Sequence, residues 1–247
     1  MPTSRSYGEA CGIARALDVV GERWALLVVR ELLLGPQRFS DLRRALPRAS
    51  SNLVADRLRE LDGDGVVRRR KLAAPAGSWV YELTEWGREL EPIVLALGGW
   101  GLRVPLPPEP MLSALSVLLF LRGSARPDPA APTAVYRVEL DDRVWAIRSE
   151  SGRVDIQPGE PAAADVSLRT DPRTLNALLA DPAALDACMS DGSVVAVGDP
   201  AVLRLLLQAV VGSGPVSRSA ASPRSPSADR PPARRPARPA PRRDPAR

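Results

Sequence analysis

Apolar residues recur at helical spacing through the first hundred positions. Ile13, Leu17 and Val20 fall at i, i+4 and i+7, which predicts a helix over residues 11–20 with that stripe turned to the core. A second helix is predicted over residues 24–34. It carries Trp24, Leu27, Val28 and Glu31 on one side, and Gly35-Pro36 stops it. Ser40 is a fair N-cap for a third helix that buries Leu42 and Leu46 and ends at Pro47. Ser50 or Ser51 can cap a fourth, in which Val54, Leu58 and Leu61 repeat the i, i+4, i+7 stripe before Gly63 and Gly65 close it. Two short strands follow, over residues 66–71 and 79–83. Thr84 then opens a last helix toward Trp100, with Pro92 marking a kink or break.

The pattern changes after a proline-rich stretch at 105–110, whose composition favours a stiff, extended spacer. Residues 111–122 form an apolar helix. Residues 135–140 and 143–149 alternate as a hairpin around Asp141-Asp142, and strands are predicted at 154–157, 165–170 and 194–197. Three Asp-Pro pairs each place an N-cap before proline at the first helical position. They start predicted helices at Pro172, Pro182 and Pro200. The second block is therefore α+β, a mostly antiparallel sheet with helices on one side.

Charge divides the chain further. Residues 1–104 carry 16 basic and 13 acidic groups, residues 105–212 carry 9 and 14, and residues 213–247 carry 9 and 2. The two ends can approach a polyanion and the middle should avoid one. The last segment holds nine prolines and nine arginines with few large apolar residues, which reads as a disordered tail. Four regions result: 1–104, a spacer at 105–110, 111–212, and the tail 213–247.

Composition also narrows the chemistry. There is no histidine, which removes Ser-His-Asp and Cys-His catalysis and the commonest metal ligand. There is no Gly-rich phosphate loop and no clustered set of metal ligands, so the reading is not an enzyme, with no cofactor and no metal. The longest apolar run, residues 111–121, is too short to span a bilayer, and the first nine residues are polar. Two cysteines make no disulfide framework, so a cytoplasmic protein is expected.

Residues 39–83 carry the functional signal. A short helix, a turn, an amphipathic helix and an arginine-rich ribbon suit a winged helix-turn-helix, which sets one helix in the DNA major groove. With Val54, Leu58 and Leu61 buried, the fourth helix leaves Ser51, Asn52, Leu53, Asp56 and Arg57 outward. Asn52 can pair with adenine, Arg57 with guanine or phosphate, Leu53 can touch a thymine methyl, and Asp56 can accept from cytosine. An ordinary solvated helix face is the plainer reading. The run Arg68-Arg69-Arg70-Lys71 puts four cations on one strand, and alternation should send two of them toward a phosphate backbone. Cys11 lies with Ala14, Arg15 and Asp18 opposite the apolar stripe of the first helix, near the surface. A neighbouring guanidinium and a helix amino end both favour thiolate.

Residues 7–101 resemble the HxlR-type winged helix regulators of bacteria. The resemblance rests on residues 11–18 (CGIARALD), 21–24 (GERW), 26–32 (LLVVREL), 35–42 (GPQRFSDL), 57–61 (RLREL) and 81–90 (YELTEWGREL). Gly12 stands where the family usually has proline, and the ribbon tip at 73–78 carries no charge. The resemblance implies a homodimer held by the first and last helices on a two-fold operator in double-stranded DNA. It places the recognition helix at 51–61 and sets Arg38 against phosphate. It also implies that Cys11 can serve as an oxidant or electrophile sensor. Residues 130–211 resemble a sterol carrier protein type 2 domain. The stretch 164–172 (ADVSLRTDP), Leu175, Leu178, Leu179, and the strand and helix from Val194 to Leu207 carry that likeness. It implies a helix layer over a sheet and a small apolar ligand.

The resulting expectation is a dimeric, sequence-specific DNA-binding regulator, with repression favoured over activation. Its second domain would sense an apolar effector or stiffen the dimer. The alternative is a lipid-binding protein whose winged block serves assembly. Neither reading involves a membrane.

Overall fold

A computed structural model describes residues 6–73, 77–108 and 110–210. The basic tail and the centre of the ribbon tip lie outside the described residues. Helices α1 (Gly12–Val20), α2 (Ala25–Leu32), α3 (Phe39–Ala45) and α4 (Ser51–Gly63) precede the hairpin β1 (Val67–Lys71) and β2 (Trp79–Leu83). Leu42, Val54, Leu58, Leu61, Val66 and Leu83 close one hydrophobic core with Val28 and Val29 of α2. Each such side chain, when fully buried, contributes about 1.5–3 kcal/mol.

The local signals explain most boundaries. Ser50 caps α4, its Oγ accepting from the Leu53 amide at 3.2 Å. Trp24 sits in the left-handed region (φ 81°) at the start of α2. Helix α3 begins two residues earlier than Ser40 as N-cap would dictate. Arg38 is its N-cap, and the Arg38 amide donates to Asp41 Oδ2 at 3.3 Å. The last helix of this block is broken as Pro92 requires, into α5 (Glu85–Arg88) and α6 (Glu91–Gly101). Thr84 caps α5 by accepting from the Gly87 amide, and its hydroxyl donates to the Gly65 carbonyl at 2.7 Å. Gly87 is required here, because a Cβ would lie 2.1 Å from the Val66 carbonyl oxygen. A short bridge from Gln37 to Tyr81 adds a third edge to the ribbon.

The first helix departs from the expectation. Ala14 and Val20 are buried, whereas Ile13 is 73% exposed and Leu17 is exposed too. The stripe is buried only at its Val20 end; among the described residues, no element covers Ile13 and Leu17. Helix α6 is similar: it buries none of its residues, and Ile93, Leu97 and Trp100 are exposed.

The second block begins with α7 (Ala114–Ser124), capped by Ser113. A five-stranded sheet follows in the order β5-β4-β3-β6-β7, from β3 (Ala134–Leu140), β4 (Arg143–Glu150), β5 (Arg153–Pro158), β6 (Val166–Thr170) and β7 (Val195–Gly198). Only the β3–β6 pair is parallel. Asp141 and Asp142 take left-handed backbone at the β3–β4 turn (φ 50° and 60°). Asp171 and Asp199 cap α8 (Pro172–Ala180) and α10 (Pro200–Gln208) as their prolines predict. Asp181 instead opens a 3-10 turn that runs into α9 (Leu185–Ser190).

The two blocks pack against each other rather than hanging on a spacer. Leu34 and Leu95 of the first block belong with the second block's core. Glu31 on α2 is only 1% exposed and accepts from Ser113 Oγ at 3.0 Å. A Cβ on Gly123 of α7 would lie 3.0 Å from Leu95 Cδ2 on α6, so small size there sets the helix approach.

Candidate nucleic-acid interface

The open part of α4 is its amino end. Ser51 and Asn52 are exposed, one turn before the buried Val54–Leu58–Leu61 stripe begins to turn inward. Leu53 is half-buried and packs on the first core, so it presents little surface. Asp56 is paired with Arg59, an exposed cation that the sequence reading did not single out.

Arg57 corrects the expectation of a free base-reading arginine. Its side chain is 12% exposed and pairs with Glu60 one turn on and with Glu22 at 3.6 Å. Glu60 was visible as an i, i+3 partner in the sequence. Glu22, from the turn before α2, was not. In this geometry Arg57 ties α4 to the α1–α2 turn.

The ribbon alternates as the strand period demands. Arg68 and Arg70 share one face, where Arg68 Nε lies 2.7 Å from Glu82 Oε1 and Arg70 Nε lies 2.8 Å from Glu82 Oε2. Glu82 stands directly across from Arg68 in the β1–β2 register. Burial pushes its carboxyl up, but the hydrogen bonds and charges of Arg70 and Arg68 outweigh that and hold it below the ordinary carboxylate value. Arg69 lies on the other face, its guanidinium 4.4 Å from the Trp79 ring centroid and 6.0 Å from that of Tyr81. Lys71 pairs in register with Trp79, and all four cations are exposed. Arg38 is also exposed, at the start of α3.

Cys11 is exposed at the N-cap of α1. The backbone amides of Ala14 and Ile13, at the start of the helix, draw its thiol below the ordinary value. Asp18, on the same helix, accepts from Ser6 Oγ and the Tyr7 amide instead.

In the second block, Tyr136, Leu140, Trp145, Ile147, Leu168 and Leu175 fill the space between helices and sheet. The Tyr136 hydroxyl donates to the Val202 carbonyl at 3.1 Å, and burial pushes its phenol up to about 12. Among the described residues, no group of three His, Cys, Asp or Glu side chains is placed to hold a metal ion, and no helix is long and apolar enough to cross a membrane.

A capped helix pair, an amphipathic second helix and a cationic two-stranded ribbon together define a winged helix-turn-helix, here joined to an α+β block. Residues 19–105 match the model of the HxlR-like helix-turn-helix family, and residues 118–210 match that of the SCP-2 sterol transfer family. Two relatives from Bacillus subtilis (strain 168) are named HTH-type transcriptional regulators. YdeP is 34% identical over 93 residues, 38% of this chain and 73% of its own length. YybR is 38% identical over 93 residues, 38% of this chain and 74% of its own length. Among solved structures, the redox regulator HypR in its oxidized form aligns at 37% identity with a TM-score of 0.35, over 37% of this chain and 94% of its own. The chain belongs to the HxlR-like helix-turn-helix family, and it is a transcriptional regulator of that type with a second, SCP-2-like block.

Proposed function

We propose that the protein is a sequence-specific repressor that binds a two-fold operator in double-stranded DNA as a homodimer. The carrying observation is the open amino end of α4, where Ser51 and Asn52 stand exposed on a helix whose other side is fixed in the core. In a dimer the two recognition helices would enter successive major grooves about 34–36 Å apart. Asn52 is the principal base-reading residue. Ser51 and Leu53 border it, while Arg38, Arg69 and Lys71 bind phosphate and set the register. Arg68 and Arg70 contribute charge partly neutralised by Glu82. Asp56 and Arg57 act through position: one engages Arg59, and the other braces α4.

The exposed stripes of α1 and α6 favour self-association, since Ile13, Leu17, Ile93, Leu97 and Trp100 form apolar surface that a second copy would cover. The role is not enzymatic and belongs to the cytoplasm. Two inputs fit it. Cys11 has an exposed, acidified thiol suited to an oxidant or electrophile. The SCP-2 match supports an apolar ligand for the second block, although the tight filling around Trp145 would oblige the helices to part from the sheet before one entered.

The test is fluorescence anisotropy of the full chain on DNA upstream of its own gene, at several salt concentrations. Asn52→Ala should lose about 1–3 kcal/mol of binding and leave the unfolding midpoint unchanged. Binding equal to wild type at every salt concentration would remove α4 from the interface.

A further inference from the structure

Where the two blocks meet, α2, α3, the start of α7 and the β3–β4 turn line an open cleft of about 160 Å³. Two kinds of wall face it. Pro47, Met111, Leu112 and Leu115 supply apolar surface, and Arg30, Arg44 and Arg143 supply positive charge against the carboxylates of Asp41 and Asp141. The three arginines differ in what they already hold. Arg30 is engaged by Glu31, with its Nε 2.9 Å from Oε1. Arg44 has a loose contact with Asp41 at 3.6 Å and remains largely in solvent. Arg143 is half-buried, lies over the Trp145 ring at 5.2 Å from its centroid, and takes part in none of the ion pairs among the described residues. Burial draws its guanidinium below the ordinary value, and Asp41 and Glu31 act on it only at a distance, against Arg44. A half-buried cation with no carboxylate on it is costly unless an anion supplies the missing partner.

We propose that this cleft binds a small organic carboxylate, one ring or a short chain in size. The carboxylate lies on Arg143, assisted by Arg44, and the hydrocarbon part lies against Met111, Leu112 and Pro47. The volume suits this class, since a cavity of about 150 Å³ admits benzene. The guanidinium provides the planar fork that a carboxylate matches with two hydrogen bonds. Asp41 and Asp141, at the charged wall, exclude dianions and favour a single negative charge. The site is separate from the interior of the second block and from Cys11. Because Asp41, Arg44 and Ala45 stand on α3, an occupant would join the first helix of the helix-turn-helix to the second block.

Isothermal titration calorimetry on the full chain, without DNA, tests the site apart from any operator reading. Benzoate and hexanoate are the probes, and benzamide is the neutral control. At least one carboxylate should bind at about 1 mM or tighter. Benzamide should bind at least about tenfold more weakly, and so should benzoate to Arg143→Gln. Met111→Trp, at an exposed position on the rim, should block the cleft and abolish binding without changing the unfolding midpoint. It decides the matter if Arg143→Gln fails to fold. The proposal is overturned if neither carboxylate binds, if benzamide binds equally well, or if the folded variants bind as wild type does.

Discussion

Replacing Glu82 with glutamine tests how the ribbon is built. Its carboxylate is 6% exposed and receives Arg68 on one oxygen and Arg70 on the other, at 2.7 and 2.8 Å. A hydrogen bond to a charged group contributes about 1.5–3 kcal/mol when shielded. The two guanidiniums are 60% and 44% exposed, so solvent screening reduces the pair of contacts to a total of about 1–2 kcal/mol. Glu82→Gln should therefore lower urea stability by that amount near neutral pH. The pH dependence has a definite sign. The folded-state carboxyl sits below its ordinary value of 4.5, so the folded state releases this proton more readily than the unfolded chain. The stability it contributes is fully present above 4.5 and is lost as pH falls through the lower, folded value. Wild type and variant should thus converge in acid. Losing the carboxylate also frees two arginines for phosphate, which should steepen the salt dependence of nonspecific DNA binding by up to about 0.9 in log K against log salt per new contact. Urea unfolding followed by tryptophan fluorescence, from neutral pH into acid, measures the first effect. A variant as stable as wild type at neutral pH, or a gap that persists unchanged in acid, would refute the clamp.

Three further outcomes follow from the packing. Gly87→Ala should cost about 1–3 kcal/mol, because its Cβ would meet the Val66 carbonyl at 2.1 Å and the backbone must move; an unshifted urea midpoint would contradict this. If the chain pairs through α1 as proposed, Ile13→Glu should lower its sedimentation coefficient to that of a monomer while the circular dichroism spectrum stays unchanged, and an unaltered coefficient would remove α1 from the proposed contact. Cys11 should be alkylated by iodoacetamide faster than the half-buried Cys188, as read by peptide mass spectrometry; equal rates would show that the Ala14 and Ile13 amides do not activate the thiol.

What the sequence makes legible is what local physics controls. Ser50, Thr84, Asp171 and Asp199 cap their helices through contacts within two or three residues, so periodicity and capping place those elements closely. The ribbon follows from two short strands and the two-residue alternation of its arginines. What covers each face is not a local property. Ile13 and Leu17 form a genuine stripe, but a period reveals an apolar side and not what covers it. Ala14, being small, sits inside without altering the pattern. Arg57 differs from its expected role for a related reason. The helical wheel turns position 57 away from the apolar stripe, yet a long side chain can fold back to a carboxylate such as Glu22, which lies 35 residues earlier in the chain. The contact of Glu31 with Ser113 spans 82 residues, and nothing in either local pattern announces it.

That last contact changes how the two blocks can communicate. A proline spacer would let them move independently, and a signal would then have to travel along the chain or through the end of α6. The packing offers a shorter path. Glu31 lies in α2, which also packs on α3 and α4, and its carboxylate receives the hydroxyl that caps α7. Arg122 near the far end of α7 pairs with Glu91 at the start of α6, and Gly123 lets Leu95 approach closely. Helix α7 is thus fixed to the first block at both ends, to α2 at its start and to α6 near its end. Closely packed elements transmit small displacements because they rearrange between discrete fits and do not deform freely. A ligand that shifts the start of α7 therefore has to disturb the Ser113–Glu31 contact, and Glu31 belongs to the same helix whose Val28 and Val29 pack in the core behind α4. The spacer at 105–110 need carry none of that signal.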